Sequence, residues 1–345
     1  MFASQRLRLL IMTLLSLLLV TSFILSLTLG AVAIHPMDTL RALIGWGEVA
    51  AETRLIIEQI RLPRSLLALL IGATLALTGA VMQGLFRNPL ADPGLIGVSS
   101  GAALGAALVI VFSGWLFTNL PTAWQAYGTV LGAFVGGVLT TLLVYRLGQT
   151  AQGTSVASML LAGIAITAIS GAAIGLLGYL ADDATLRNLT FWNMGSLAGA
   201  SPLKVLVLIV CCALVWWRLP RQARALNALL LGESEARHLG IRVERVKREL
   251  ILLTALGVGA CVAMAGLIGF VGLVVPHLVR LMLGADHRRV IPAAMLLGAA
   301  LLLMADVVAR LVIAPAELPI GILTALLGAP FFLLLLMNAQ RRGGL

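Results

Sequence analysis

The sequence predicts an all-α integral membrane protein: one polytopic domain over residues 1–345, crossing the bilayer as ten transmembrane helices. Three observations predict it. Of the 345 residues, 60% are hydrophobic and 11% charged, with a mean hydropathy of +1.05, whereas a water-soluble chain is about half apolar and about a quarter charged. Apolar tracts of roughly 20 residues, the length of one crossing, follow one another along almost the whole chain. Lysine and arginine, 24 against 14 acidic residues, gather in particular connections between those tracts. The net charge of +10 is therefore mostly topology, since the chain has no soluble surface on which to build a nucleic-acid site. Cys211, Cys212 and Cys261 lie in apolar tracts, at spacings that make neither a metal knuckle nor a disulfide framework.

In chain order, candidate spans lie near 9–33, 64–86, 94–116, 122–146, 156–180, 202–219, 291–311 and 318–338. The first follows Arg6 and Arg8 and ends near Ala31-Val32-Ala33, which resembles a cleavage site. Its apolar core exceeds the roughly 7–15 residues of a signal segment, which favours an uncleaved span. The tract 249–283 would make a helix of roughly 50 Å against a hydrocarbon core of about 30 Å. Gly266, Gly269, Gly272 and Pro276 interrupt it, which suits a break between two shortened spans. The positive-inside rule supports that division. With ten spans and both termini cytoplasmic, most basic residues fall inside, and Arg218, Arg221, Arg224, Arg237, Arg242, Arg245, Lys247 and Arg248 share one loop. With nine, Arg280, Arg288, Arg289, Arg341 and Arg342 would all lie outside. The pairs Gly101/Gly105, Gly132/Gly136 and Gly171/Gly175 have the spacing that lets apolar helices approach closely, and are read as packing.

The loop over about 220–247 is long enough to do more than turn. Gly232 and Gly240 bracket about two helical turns carrying Glu233, Ala236 and Arg237. Such a charged helix at a membrane surface suits docking to a cytoplasmic partner. The alternative is a helix lying on anionic lipid, against which its glutamates argue. On the outward side Arg41, Arg54, Arg61, Arg64, Arg187 and Arg310 remain. Arg61 and Arg64 flank Pro63 at the start of a span, where a cation opposes the helix dipole. They read as docking groups for an external anionic partner, or as side chains snorkelling to the interface. Arg310 stands four residues after Asp306, the one acidic residue inside a span, so the two either neutralise each other or leave Arg310 to dock. His277, after Pro276, is a candidate ligand or relay, or a satisfied core histidine. No catalytic constellation is visible. Lys204 and Lys247, the only lysines, do not follow a phosphate-binding loop, so energy for active transport comes from another subunit or an ion gradient. With Asp306 towards one end of its span, gradient coupling is the weaker reading.

Motifs in order then point to a family. Arg61-Leu62-Pro63-Arg64 is followed by Gly79-Ala80-Val81-Met82-Gln83, Asn88-Pro89-Leu90-Ala91-Asp92-Pro93-Gly94 and Leu231-Gly232-Glu233. The series continues through the run from Gly266 to His277 and closes with Glu317-Leu318-Pro319-Ile320-Gly321. Over about residues 55–337 the chain resembles the FecCD-type permease subunits of type II ABC importers, which move haem, ferric siderophores and cobalamin. The resemblance implies a bacterial inner-membrane protein that pairs with a second copy around the translocation path. It also implies two cytoplasmic ATP-binding subunits that hydrolyse ATP, a periplasmic substrate-binding protein, and no permanently bound cofactor. By the same resemblance, Arg61, Arg64 and Arg310 match arginines that dock the binding protein. Gly232, Glu233, Ala236, Arg237 and Gly240 match the ATPase-coupling segment, and Thr154 and Ser155 match the cytoplasmic gate. The outward stretch from Ala181 to Leu197 resembles haem permeases more than cobalamin ones. There Arg187 could attract propionates or pair with Asp182 or Asp183, while Phe191 and Trp192 offer flat apolar surface.

Overall fold

The computed structural model describes residues 5–30, 32, 34–47, 49–116, 122–151 and 153–341. Ala31, Ala33, Arg342 and both chain ends lie outside them. The described chain is nearly all helical. It opens with α1 (Gln5–Thr28), α2 (Pro36–Ile44) and α3 (Ala51–Leu55), and α3 runs through a π-helical turn, Ile56–Arg61, into α4 (Leu62–Leu85). Then follow α5 (Val98–Val111), α6 (Ser113–Leu116), α7 (Thr122–Leu147), and a two-stranded antiparallel hairpin of β1 (Gln149–Thr150) and β2 (Gly153–Thr154). Next are α8 (Val156–Leu180), α9 (Asp183–Asn193), α10 (Pro202–Arg218), α11 (Ala223–Leu231) and α12 (Glu233–His238). The chain closes with α13 (Val243–Ala265), α14 (Val271–Leu283), α15 (His287–Leu311) and α16 (Ile320–Arg341).

Among the described residues, seven helices are long and apolar enough to cross a membrane: Gln5–Thr28, Ala51–Leu85, Tyr127–Leu147, Val156–Leu180, Pro202–Leu231, Val243–Ala265 and His287–Leu311. Three shorter apolar helices, Val98–Val111, Val271–Leu283 and Ile320–Leu334, accompany them. The expected ten crossings need those three as well. α5 is short because 14 residues reach only about 21 Å. Its approach is the irregular stretch 86–97, where Ala91, Pro93 and Ile96 are buried. Non-helical backbone is tolerated at membrane depth where protein covers it.

α4 is the central helix, buried over almost its whole length, and α10, α13, α14 and α15 pack around it. It is apolar all round, as a helix with no solvent face must be. Its small residues set the approach. A side chain on Gly72 would overlap the Gly298 carbonyl of α15, and one on Gly79 the Gly272 carbonyl of α14. Its buried hydroxyls are satisfied within the bundle: Thr78 Oγ1 donates to the Thr74 carbonyl (2.8 Å), and Thr74 Oγ1 accepts from Trp216 Nε1 (2.9 Å).

The tract 249–283 breaks as its glycines suggest. α13 ends at Gly266 (φ +72°), Phe270 takes a left-handed conformation (φ +67°), and α14 begins at Val271. The glycine pairs divide. Gly101 and Gly105 of α5 interlock with Gly136 and Gly132 of α7, with carbonyl oxygens where side chains would stand. Gly171 and Gly175 of α8, expected to pack in the same way, meet nothing within 4 Å.

Replacing Gly105 by Val is therefore expected to destabilise the chain by about 1–3 kcal/mol through overpacking, while Gly175→Val leaves its own fold intact. Thermal midpoints of the two variants in detergent measure the difference. Equal midpoints would contradict the packing described.

Candidate functional site

One end of the bundle gathers the C-terminal end of α1, the start of α4, the end of α15 and the approach to α16. The last carbonyls of a helix lack intrahelical partners. At α1 two arginines supply them. Arg61 Nη1 donates to the carbonyls of Leu27 (2.8 Å) and Thr28 (2.7 Å), and its Nη2 donates to that of Val32. Arg310 donates to the carbonyls of Ser26 (3.1 Å) and Leu29 (3.2 Å) and to Ser26 Oγ (3.2 Å). Both cations also complement the negative end of the α1 dipole.

Arg64 joins the other elements. Its Nε and Nη2 donate to Asp306 Oδ1 at 2.9 and 2.8 Å, and its Nη1 donates to both oxygens of Glu317 at 2.8 and 2.9 Å. Asp306 Oδ2 faces Arg310 Nε at 3.1 Å. Of the two readings open for Arg310, the pairing with Asp306 is found, and Arg61 and Arg64, read as docking or snorkelling groups, are drawn inward. Arg61, Arg64 and Arg310 are only 4%, 7% and 6% exposed, because orphan carbonyls and two carboxylates engage their donors. Three positive charges meet two negative ones, and all three arginines and Glu317 line one cavity of about 320 Å³. Glu317, whose motif was visible, and the Asp306–Arg64 pairing across 242 residues were not assigned from sequence.

α9 lies at the same end. Asp182 caps it by accepting from the Thr185 N–H (2.7 Å), and that backbone bond lowers the carboxyl's pKa. The loop after α9 is pinned twice. Ser196 N donates to the Ala265 carbonyl at the end of α13 (2.7 Å), and Ile320 N donates to the Gly195 carbonyl at the start of α16 (3.1 Å). Arg187 is exposed, and among the described residues no ion pair joins it to Asp182 or Asp183. Trp192 lines a cavity of about 410 Å³ with Phe191, Asn188 and Lys204, and Arg187 is not among its lining residues. His277 is partly buried in α14, its Nδ1 enclosed and without a hydrogen-bond partner, and it lines none of the described cavities. Asp92, unremarked in the sequence beyond its motif, borders a further cavity of about 260 Å³ beside Leu75 and Gly272.

The opposite end carries the hairpin and the charged loop. Gly232 (φ +126°) and Gly240 (φ +80°) flank α12 in conformations that favour glycine. Arg237 is exposed, but Ala236 is fully buried, which corrects its place in an exposed coupling surface. Glu233 Oε1 meets Lys247 Nζ at 2.7 Å. Thr154, 5% exposed, donates from N (2.9 Å) and Oγ1 (2.7 Å) to Glu244 Oε2, and its carbonyl accepts from Lys247 Nζ (2.7 Å). Ser155 caps α8 through Ser158 N (3.2 Å). Lys247 was read only as loop charge, and Glu244 was not singled out. Among the described residues no group of three or more His, Cys, Asp or Glu is placed to hold a metal ion.

A helical membrane bundle with a charged cluster at one end, a broken span and a charged loop helix at the other is the architecture of an ABC-importer permease, and comparison with known proteins agrees. Residues 17–338 match the model of the FecCD transport family, and the chain belongs to it. It is 50% identical over 288 residues to the hemin transport system permease protein HmuU of Yersinia pestis, covering 83% of this chain and 84% of that protein. It is 44% identical to the vitamin B12 import system permease protein BtuC of Vibrio cholerae, covering 82% and 83% respectively. A solved structure described as an inward-facing conformation of a putative metal-chelate type ABC transporter superposes with TM-score 0.83 at 36% identity, covering 95% of this chain and 99% of that one. The protein is thus the membrane permease subunit of a type II ABC importer, and ATP is hydrolysed by a partner ATPase.

Asp306→Asn is expected to cost about 3–5 kcal/mol, because it strips a buried ion network of a charge that two arginines share. Asp38→Asn, in an exposed pair with Arg41 at 3.5 Å, is expected to cost under about 1 kcal/mol. Thermal unfolding in detergent, followed for both, checks the contrast.

Proposed function

We propose that two copies of this chain form the path by which an iron chelate, haem foremost, crosses a bacterial inner membrane by alternating access. The observation that carries the cargo is the 50% identity to a hemin permease over 83% of the chain. The exposed, unpaired guanidinium of Arg187 supports it, since carboxylates such as propionates make charge-assisted hydrogen bonds with such a group. A cobalamin cargo is the second reading, favoured by relatives 41–44% identical, several of them over 95% of this chain. In this proposal all ten apolar helices cross the membrane, the arginine cluster faces outward, and both termini and the hairpin lie in the cytoplasm.

A loaded binding protein docks at the arginine cavity. A single acidic side chain entering it would meet the one positive charge left unbalanced by Asp306 and Glu317. Gly232, Glu233, Arg237 and Gly240 belong to the segment that meets the ATPase, with Ala236 as its buried anchor, and Thr154 and Ser155 belong to the inner gate. Trp192 and His277 have a place in the pathway only if it opens between α9 and α13 or beside α14. The α8 face carrying Gly171 and Gly175, bare within one chain, receives the second copy. Nucleotide-driven shifts between two packings of the bundle, not chemistry in this chain, move the cargo.

The test is uptake by proteoliposomes holding the permease, its ATPase and its binding protein. ATP-dependent haem accumulation, uncompeted by excess cobalamin, is expected, and Arg61→Met should weaken binding-protein affinity about tenfold. Competition by cobalamin at equal concentration would move the cargo to the second reading, and unchanged affinity would remove the docking role.

A further inference from the structure

Lys247 lies on the first turns of α13 with its side chain 3% exposed, among charged neighbours that would ordinarily be solvated. An ammonium has three donors, and three acceptors surround this one. They are Glu233 Oε1 on α12 at 2.7 Å, the Thr154 carbonyl of β2 at 2.7 Å, and Glu244 Oε1 at 3.5 Å. Glu244 in turn holds Thr154 through its N–H and hydroxyl. Thr154 is gripped on three polar atoms by two residues of α13, and one of those two also grips α12.

The surrounding backbone keeps this grip short. Gly153 (φ +119°) presses its Cα side against Glu244, where a side chain would contact Oε1, and Thr150 Oγ1 closes the hairpin onto the Gly153 carbonyl (2.7 Å). Ser155 N continues to the Gly148 carbonyl at the end of α7 (2.8 Å). α12 lies between two positive-φ glycines that set it apart from the flanking helices, with Ala236 buried beneath it.

We infer that Lys247 is a positioning residue for transport. It is an ionic strut that ties the loop helix α12 to the Thr154 hairpin, so that displacement of one moves the other. This inference rests on the reading that α12 meets the ATPase and that the hairpin gates the path. The ammonium is buried while Glu233 and Glu244 remain 32% and 45% exposed, and its short charge-assisted hydrogen bonds to Glu233 and the Thr154 carbonyl have the directional geometry that a transmitting link requires. Lys247 itself touches neither cargo nor nucleotide.

The test uses the complete complex of permease, ATPase and binding protein in proteoliposomes, with spin labels at exposed Gln149 and His238. In the parent complex the distance between the two labels and the distance of each from the membrane core should change together on ATP binding. Lys247→Met should keep basal ATP hydrolysis within about twofold. It should lower haem transported per ATP by at least tenfold and abolish the hairpin label's response, while the α12 label still moves. Glu244→Gln keeps an acceptor for Thr154 but loses the charge facing Lys247. It should give an intermediate loss and stands in if Lys247→Met fails to assemble. Parent-like transport per ATP and parent-like label movement in both variants would overturn the strut alone. An α12 label that never responds to ATP in the parent complex would overturn the coupling reading, and the strut with it.

Discussion

A carboxylate placed where water cannot reach it governs one end of this molecule. Asp306 is fully buried, and an isolated charge there would be prohibitive. Arg64 and Arg310 make it tolerable, and each arginine uses its remaining donors on another element: Glu317 before α16 in one case, the last turn of α1 in the other. Arg61 completes the α1 end without any carboxylate. The first, fourth, fifteenth and sixteenth helices therefore meet through polar bonds with directional geometry. Loss of one member strands the others, so the cluster specifies an arrangement as well as holding it.

Away from that cluster, shape takes over from charge. Lipid offers no hydrophobic drive between helices, so close van der Waals contact and satisfied polar groups decide the arrangement. Gly72 against Gly298, Gly79 against Gly272 and the α5–α7 glycines bring backbones together, and α4 becomes the axis of the bundle. The break at 266–270 then has a structural use. The end of α13 and the start of α16 both hold the loop after α9, which fixes that short helix without burying its charged face. A permease of this family leaves ATP hydrolysis to a partner ATPase.

Hydropathy made most of the fold legible in the sequence, because each span must be apolar over a fixed length. The break was readable from Gly266 to Pro276, and the bounds of α12 from Gly232 and Gly240, whose positive φ values explain the residue choice. Close spacing of Asp306 and Arg310 announced one ion pair. Arg64 was not legible as its third member, since nothing local shows that position 64 meets position 306. The same holds for Lys247. Beside Arg245 and Arg248 it reads as one more solvated charge, and only the fold brings Thr154 and Glu233 to it. Gly171 and Gly175 mark the limit of motif reading: their spacing matches that of the α5 and α7 glycines, yet within one chain nothing meets them.

The central claim is that this chain transports nothing by itself. Purified alone into liposomes, with an imposed proton or sodium gradient and haem outside, it should accumulate no haem above protein-free vesicles. Gradient-dependent accumulation in that preparation, abolished by Asp306→Asn in protein shown to remain folded, would contradict the account and make the buried carboxylate a coupling site.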